Sequence, residues 1–129
     1  MTPLVVLVVD DDPLNRKLAR DVLRAAGFET LEAERGDDAI ALARVRLPDL
    51  VLMDLRLPDM DGSEAMRRLK ADAGTSHIPV LAVTAVAGAR DVLVEAGFDG
   101  YVEKPIDVAA LPAEIRRHCH RVARRRSGG

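Results

Sequence analysis

The sequence predicts an α/β domain, a five-stranded parallel sheet with five helices distributed over both of its faces. Three observations carry that prediction. Five short strand-like runs, Leu4–Val9, Thr30–Ala33, Leu50–Met53, Val80–Val83 and Gly100–Glu103, alternate with stretches of helical spacing. The first, third and fourth runs are continuously apolar rather than alternating, as strands covered on both faces are. Repeated βα units joined by right-handed crossovers then put helices on both sides of one sheet.

Each helix has its own signals. After the first strand, Asp12 suits a helix cap, Pro13 suits the first helical position, and Gly27 suits the end. Leu14, Leu18, Val22 and Ala25 repeat at helical spacing between them and are the expected buried face. Ala39, Ile40, Ala43 and Leu47 mark a second helix that stops before Pro48. Ala65, Met66 and Leu69 give the third its face, although Ser63 followed by Met66 is not a full capping box. The fourth, around Ala89–Ala96, is expected to be short or mobile, since Gly88 and alanines dominate its start. Leu111, Ile115, Cys119 and Val122 form the stripe of the fifth.

A chain of 129 residues that is 48% apolar fits one domain with a real core. Residues 1–123 are assigned to that domain and 124–129 to a flexible basic C-terminal tail. The net charge of −2 argues against a general affinity for nucleic acid or membrane. No apolar stretch is long enough to span a bilayer, and no signal-peptide pattern opens the chain. Cys119 is the single cysteine, which excludes an internal disulfide and fits a cytoplasmic location. Phe28, Phe98 and Tyr101 are the only aromatic residues, leaving little scope for base stacking or a large planar cofactor.

Chemistry collects where the strands end. The first run leads into Asp10, Asp11 and Asp12, and the third into Asp54. In open α/β sheets the carboxyl ends of the strands line the functional crevice, so these acids face one rim. Asp10 and Asp11 cannot share a face inside a regular strand, but both reach the rim where the pleat breaks into the helix start. Converging carboxylates repel unless protonated or neutralised by a cation. Oxygen ligands with few protein carboxylates suit Mg²⁺, with Mn²⁺ as an alternative. Asp12 is read simply as the helix cap. Thr84 and Lys104 follow the fourth and fifth strands and add a hydroxyl and an ammonium to the same rim. A carboxylate nucleophile, a divalent cation, a fixed positive charge and a hydroxyl donor are what phosphoryl transfer to aspartate requires.

Over nearly its whole length the chain resembles the receiver domain of two-component response regulators. The motifs that carry the resemblance are Val8-Val9-Asp10-Asp11-Asp12, Met53-Asp54-Leu55-Arg56-Leu57-Pro58-Asp59-Met60-Asp61-Gly62, Val83-Thr84-Ala85, and Ala96-Gly97-Phe98-Asp99-Gly100-Tyr101-Val102-Glu103-Lys104-Pro105. The resemblance implies a flavodoxin-like (βα)5 receiver fold and a single-domain regulator. Asp54 would be the phosphoacceptor, served by a sensor histidine kinase or a histidine phosphotransfer protein. Asp11 would ligate Mg²⁺ directly, Asp10 through water, and Arg56 through its backbone carbonyl. Thr84 and Lys104 would contact the phosphoryl group, and Tyr101 would switch with Thr84 to address a downstream protein not identified by the sequence. The Lys104–Pro105 peptide is expected to be cis. Arg56 and Val86 occupy the variable positions that modulate dephosphorylation. Such a domain assists its own phosphorylation and dephosphorylation without being an enzyme in the ordinary sense.

Other patterns carry less. His118, Cys119 and His120 are consecutive in a helix, so they point about 100° apart and cannot converge on one metal ion. Asp59-Met60-Asp61-Gly62 resembles part of a calcium loop, but Leu57 and Arg68 stand where ligands are needed. Arg116, Arg117, Arg121, Arg124, Arg125 and Arg126 suit a solvated helix face near the negative end of its dipole. Two other function classes compete with the receiver. A small Mg²⁺-dependent phosphatase with an aspartyl nucleophile, of haloacid-dehalogenase type, would use Asp10 and Asp12, but Pro13 follows and there is no room for a cap. A phosphorylation-independent pseudo-receiver would not need the full acid, threonine and lysine set.

Overall fold

The computed structural model describes the backbone of residues 2–128 and the side chains of residues 2–119. Five strands, β1 (Val5–Val9), β2 (Glu29–Ala33), β3 (Leu50–Asp54), β4 (Val80–Thr84) and β5 (Gly100–Glu103), alternate with five helices. The helices are α1 (Pro13–Ala25), α2 (Gly36–Arg46), α3 (Gly62–Ala71), α4 (Arg90–Ala96) and α5 (Leu111–Gly128). All strand pairs are parallel, in the order β2-β1-β3-β4-β5. This is the flavodoxin-like doubly wound order, in which the crevice opens where the chain reverses between β1 and β3.

The sheet divides the core. Leu7, Val9, Val51, Met53, Val80 and Ala82 face α2, α3 and α4, where Ile40, Ala43, Met66, Leu69 and Leu93 meet them. Val6, Val8, Leu50, Leu52, Leu81 and Val83 face α1 and α5, meeting Ala19, Leu23, Leu111, Ile115 and Cys119. Alternate residues of each central strand therefore feed opposite layers, which is why those strands read as unbroken apolar runs.

Strand ends differ slightly from expectation. Ladder pairing of Asp54 with Val83 and of Thr84 with Glu103 keeps both polar residues inside their strands, one position beyond the apolar runs. Asp12 is the N-cap of α1, its carboxylate accepting the Leu14 N–H at 2.9 Å. The buried face of that helix is not the expected one. Leu14 and Leu18 are 74% and 43% exposed and Ala25 is exposed, while Ala19 and Leu23 are buried with Val22 and Ala26 beside them. Two apolar stripes lie one residue apart on this helix, and packing against β1 and α5 selects the one with smaller side chains near its start. Leu47, assigned to the second helix by its spacing, instead caps the end of α2 in the left-handed conformation, φ 47°, and is 53% exposed.

The fourth helix is short, seven residues with Leu93 alone buried. In α5, Leu111, Ile115 and Cys119 are buried as expected. Val122, His120, Arg121 and the proposed tail with Arg124, Arg125 and Arg126 lie outside the residues whose side chains are described. Among the described residues, no helix is long and apolar enough to cross a membrane.

Candidate functional site: a carboxylate cluster at the sheet rim

Asp10 follows β1 directly, and its N–H donates to the Ala33 carbonyl at 3.1 Å, so the sheet pairing holds it one residue past the strand. Its carboxylate then turns back, and Oδ1 accepts the Asp12 N–H at 2.9 Å. This is the break in the pleat that lets Asp10 and Asp11 share the rim. Asp10 and Asp54 are buried, 6% and 7% exposed, while Asp11 stands in solvent. One carboxylate oxygen from each of the three lies within 4.8 Å of the other two.

Lys104 closes the cluster from β5. Its Nζ lies 3.0 Å from Oδ2 of Asp54 and 3.9 Å from Oδ2 of Asp10. The Lys104 N–H donates to the Thr84 carbonyl at 2.7 Å, which fixes the base of the side chain against β4. The Lys104–Pro105 peptide is cis. One ammonium against three carboxylates leaves the site with excess negative charge. Burial pushes the Asp10 carboxyl up from the ordinary 3.8 to about 6. The Asp54 charge adds to the rise, and the Asp12 N–H and Lys104 oppose it. Three hard oxygen donors around an uncompensated negative spot fit a divalent cation such as Mg²⁺.

Thr84 is 3% exposed at the end of β4, and its Oγ1 accepts the Val86 N–H at 3.0 Å. Accepting there leaves the hydroxyl proton free to be donated elsewhere. The Arg56 N–H donates to Oδ1 of Asp54 at 3.2 Å, so the loop after β3 packs back on the acid that precedes it. Tyr101 is half-buried on β5 and packs against the α2–α3–α4 side of the core. It also lines a cleft of about 630 Å³ between α4, β5 and α5, bordered by Arg90, Glu103, Glu114 and Arg117. None of Asp10, Asp11 and Asp54 lines that cleft.

Three residues around the site had no role in it assigned from the sequence. Gly62 approaches the end of β3 so closely that a Cβ would collide with the Asp54 carbonyl oxygen and lie 2.9 Å from the Leu55 Cα. Asp59 reaches across to the N-terminus of α2 and accepts the Gly36 and Asp37 N–H groups at 2.8 and 2.9 Å. Its own burial works against ionisation, but those N–H donors outweigh it and hold the carboxyl below the usual range. Arg16 donates to the Asp10 carbonyl at 2.8 Å. Only the Gly62 contact has a local sequence signal, a glycine opening a helix after Asp61.

His118 is buried against Gly100, and no metal-binding group that includes it is found among the described residues. Cys119 is buried and its thiol is pushed up to about 11 by burial, which suits a core residue.

A family profile described as the response regulator receiver domain matches residues 6–116. The chain belongs to this family of signalling domains. It is 44% identical over 118 residues to the polar-differentiation response regulator DivK of Brucella anthropi, an alignment covering 90% of this chain and 96% of that protein. The DivK protein of Brucella ovis is 45% identical over 115 residues, covering 88% and 94%. Among solved structures, a putative response regulator from Chloroflexus aurantiacus superposes with a TM-score of 0.87 at 30% identity, covering 92% of this chain and 99% of that one. The receiver domain of sensor histidine kinase PA1611 from Pseudomonas aeruginosa, which holds a magnesium ion in its active-site cleft, gives 0.84 at 30% identity, with the same coverage.

Proposed function

We propose that Asp54 accepts a phosphoryl group from a histidine kinase or histidine phosphotransfer protein, and that the phosphorylated form changes which protein the domain binds. The observation that carries this reading is the setting of Asp54. It is a buried carboxylate at a strand end, 3.0 Å from a lysine ammonium and beside two further carboxylates. A merely structural acid would not need that arrangement.

In the proposed reaction, a carboxylate oxygen of Asp54 attacks the phosphorus of a phosphohistidine. The P–N bond breaks, its electron pair stays on the imidazole nitrogen, and that nitrogen takes up a proton from solvent. Asp10, Asp11, Asp54 and the Arg56 carbonyl would hold Mg²⁺, or Mn²⁺ in its place, which when bound neutralises charge on the phosphoryl oxygens. Lys104 moves its contact from the carboxylate to a phosphoryl oxygen, and Thr84 donates its hydroxyl proton to another. Tyr101, on the strand next to Thr84, follows that movement and alters the α4–β5–α5 face. Hydrolysis of the acyl phosphate by water returns the Asp54 carboxylate and inorganic phosphate. A cytoplasmic kinase partner is consistent with the single, buried cysteine.

The test is incubation with acetyl phosphate with and without Mg²⁺, followed by intact mass. Addition of one phosphoryl group that requires Mg²⁺ and vanishes in Asp54→Asn supports the reading. Sustained turnover of p-nitrophenyl phosphate would instead support a phosphatase, and an unmodified chain would support a pseudo-receiver.

A further inference from the structure

We infer that Arg16 is a positioning residue for the cation site: its guanidinium holds the peptide that joins Asp10 to Asp11, and so sets where both carboxylates point. The inference rests on the proposed Mg²⁺ reading of the cluster. It starts from a geometric problem, because two adjacent residues cannot present side chains to one side of an extended chain. The Asp10–Asp11 peptide must therefore sit in one particular orientation, and something must hold it there.

Both ends of the Asp10 main chain are held. Its N–H donates to Ala33 on β2, and its carbonyl accepts Nη1 of Arg16 at 2.8 Å. The second contact is charge-assisted and partly buried, which makes it stronger than an ordinary backbone bond. Arg16 is itself fixed, with a side chain only 13% exposed. Its Nη2 lies 3.1 Å from Glu34 and its Nε 3.5 Å from Glu32, both on the β2 side of the helix. Glu32 is further shared with Arg20 at 3.3 Å. The planar fork is thus aimed by β2 and spent on one carbonyl of the rim. With that peptide held, Asp10 Oδ1 stays on the Asp12 N–H. A lysine carries the charge but cannot span the three contacts.

The sign of the effect separates positioning from simple electrostatics. Arg16 is a cation near a cation site, so by charge alone its removal should tighten Mg²⁺ binding. Positioning requires the opposite. Residues that orient metal ligands without touching the ion typically contribute about 10–100-fold in affinity. Mg²⁺ titration by calorimetry of the full chain should therefore give binding about tenfold weaker in Arg16→Gln. Arg16→Lys should also be several-fold weaker, and Glu34→Gln should stay within about twofold of wild type, since its partner end is largely solvated. In metal-free protein, the Asp12 amide should exchange faster in Arg16→Gln while the β3 amides keep their protection.

Unchanged or tighter Mg²⁺ binding in Arg16→Gln, with wild type binding normally, overturns the inference alone. Should Arg16→Gln not fold, Arg16→Lys decides in the same way. Absence of Mg²⁺ binding by the wild type overturns the cation reading together with this one, and an unchanged Asp12 amide in the metal-free variant overturns it independently of any metal.

Discussion

Lys104 and Asp54 are joined at 3.0 Å across the carboxyl ends of β5 and β3, residues fifty positions apart in the chain. The lysine is ion-paired with two carboxylates, Asp54 and Asp10, of a cluster that holds three. It therefore offsets part of the negative charge at the rim, and in the proposed reaction it would be the group that meets a phosphoryl oxygen.

Replacing it separates those two duties. Lys104→Met keeps most of the unbranched apolar stem and removes the charge. Metal-free stability should fall by about 2 kcal/mol, the scale of a lost hydrogen bond to a charged group. Chemical denaturation in a chelator measures this. Phosphoryl uptake from acetyl phosphate should fall as well, and the loss should persist at saturating Mg²⁺.

Asp10→Asn should act in the opposite direction on stability. Asp10 is buried and its carboxyl is raised to about 6, so its ionised form is disfavoured in the folded chain. The amide keeps an oxygen for the Asp12 N–H and carries no charge. Melting in chelator at neutral pH should rise by a few degrees, while Mg²⁺ binding falls. A site whose stability improves when its ligand is lost is one maintained for function.

The same shift fixes a pH dependence. Asp10 has a folded value above its unfolded one, so between about 4 and 6 the folded chain binds more protons than the unfolded chain. Its contribution is fully present below the unfolded value and is lost as pH rises through about 6. Wild-type stability minus that of Asp10→Asn, measured in chelator across this window, should decline with rising pH. Mg²⁺ competes with the same proton, so affinity should climb over the same interval.

Much of this was legible in the chain itself. Strands β1, β3 and β4 are covered on both faces, and residues such as Val51 and Leu52, which enter opposite layers, leave an unbroken apolar run. Asp10, Asp54 and Thr84 end those runs and Lys104 follows β5, so their meeting at one rim follows from the parallel topology. The face of α1 was not legible. Leu14 and Leu18 are the larger apolar residues, but the neighbouring stripe of Ala19 and Leu23 fits the space under α5. Arg16 and Asp59 were not legible either. Each acts through a hydrogen bond to the backbone of another segment, Arg16 to Asp10 and Asp59 to Gly36 and Asp37, and such bonds have no sequence period.

Asp59 yields a structural prediction. It supplies from a distant loop the cap that Arg35 does not provide, since α2 has no side-chain cap of its own. Asp59→Ala should cost about 1–2 kcal/mol, the range for losing an N-cap acceptor. Hydrogen exchange should quicken at Gly36 and Asp37 first, with β1 and β3 less affected.

Gly62→Ala tests the floor of the site. The new methyl would meet the Asp54 carbonyl and the Leu55 Cα, both main-chain atoms that cannot swing aside. Overpacking of this kind costs about 1–3 kcal/mol. Denaturant unfolding should show that loss, and Mg²⁺ titration of the folded fraction should show weaker binding because the end of β3 is displaced.

The most direct measurement locates the phosphoryl group itself. After brief treatment with acetyl phosphate and Mg²⁺, peptide mass mapping should find one added group on the peptide containing Asp54, removable by hydroxylamine as an acyl phosphate is. A group found on Asp10, Asp11 or Ser63, or a stable hydroxylamine-resistant ester, would contradict the assignment of Asp54 as the acceptor.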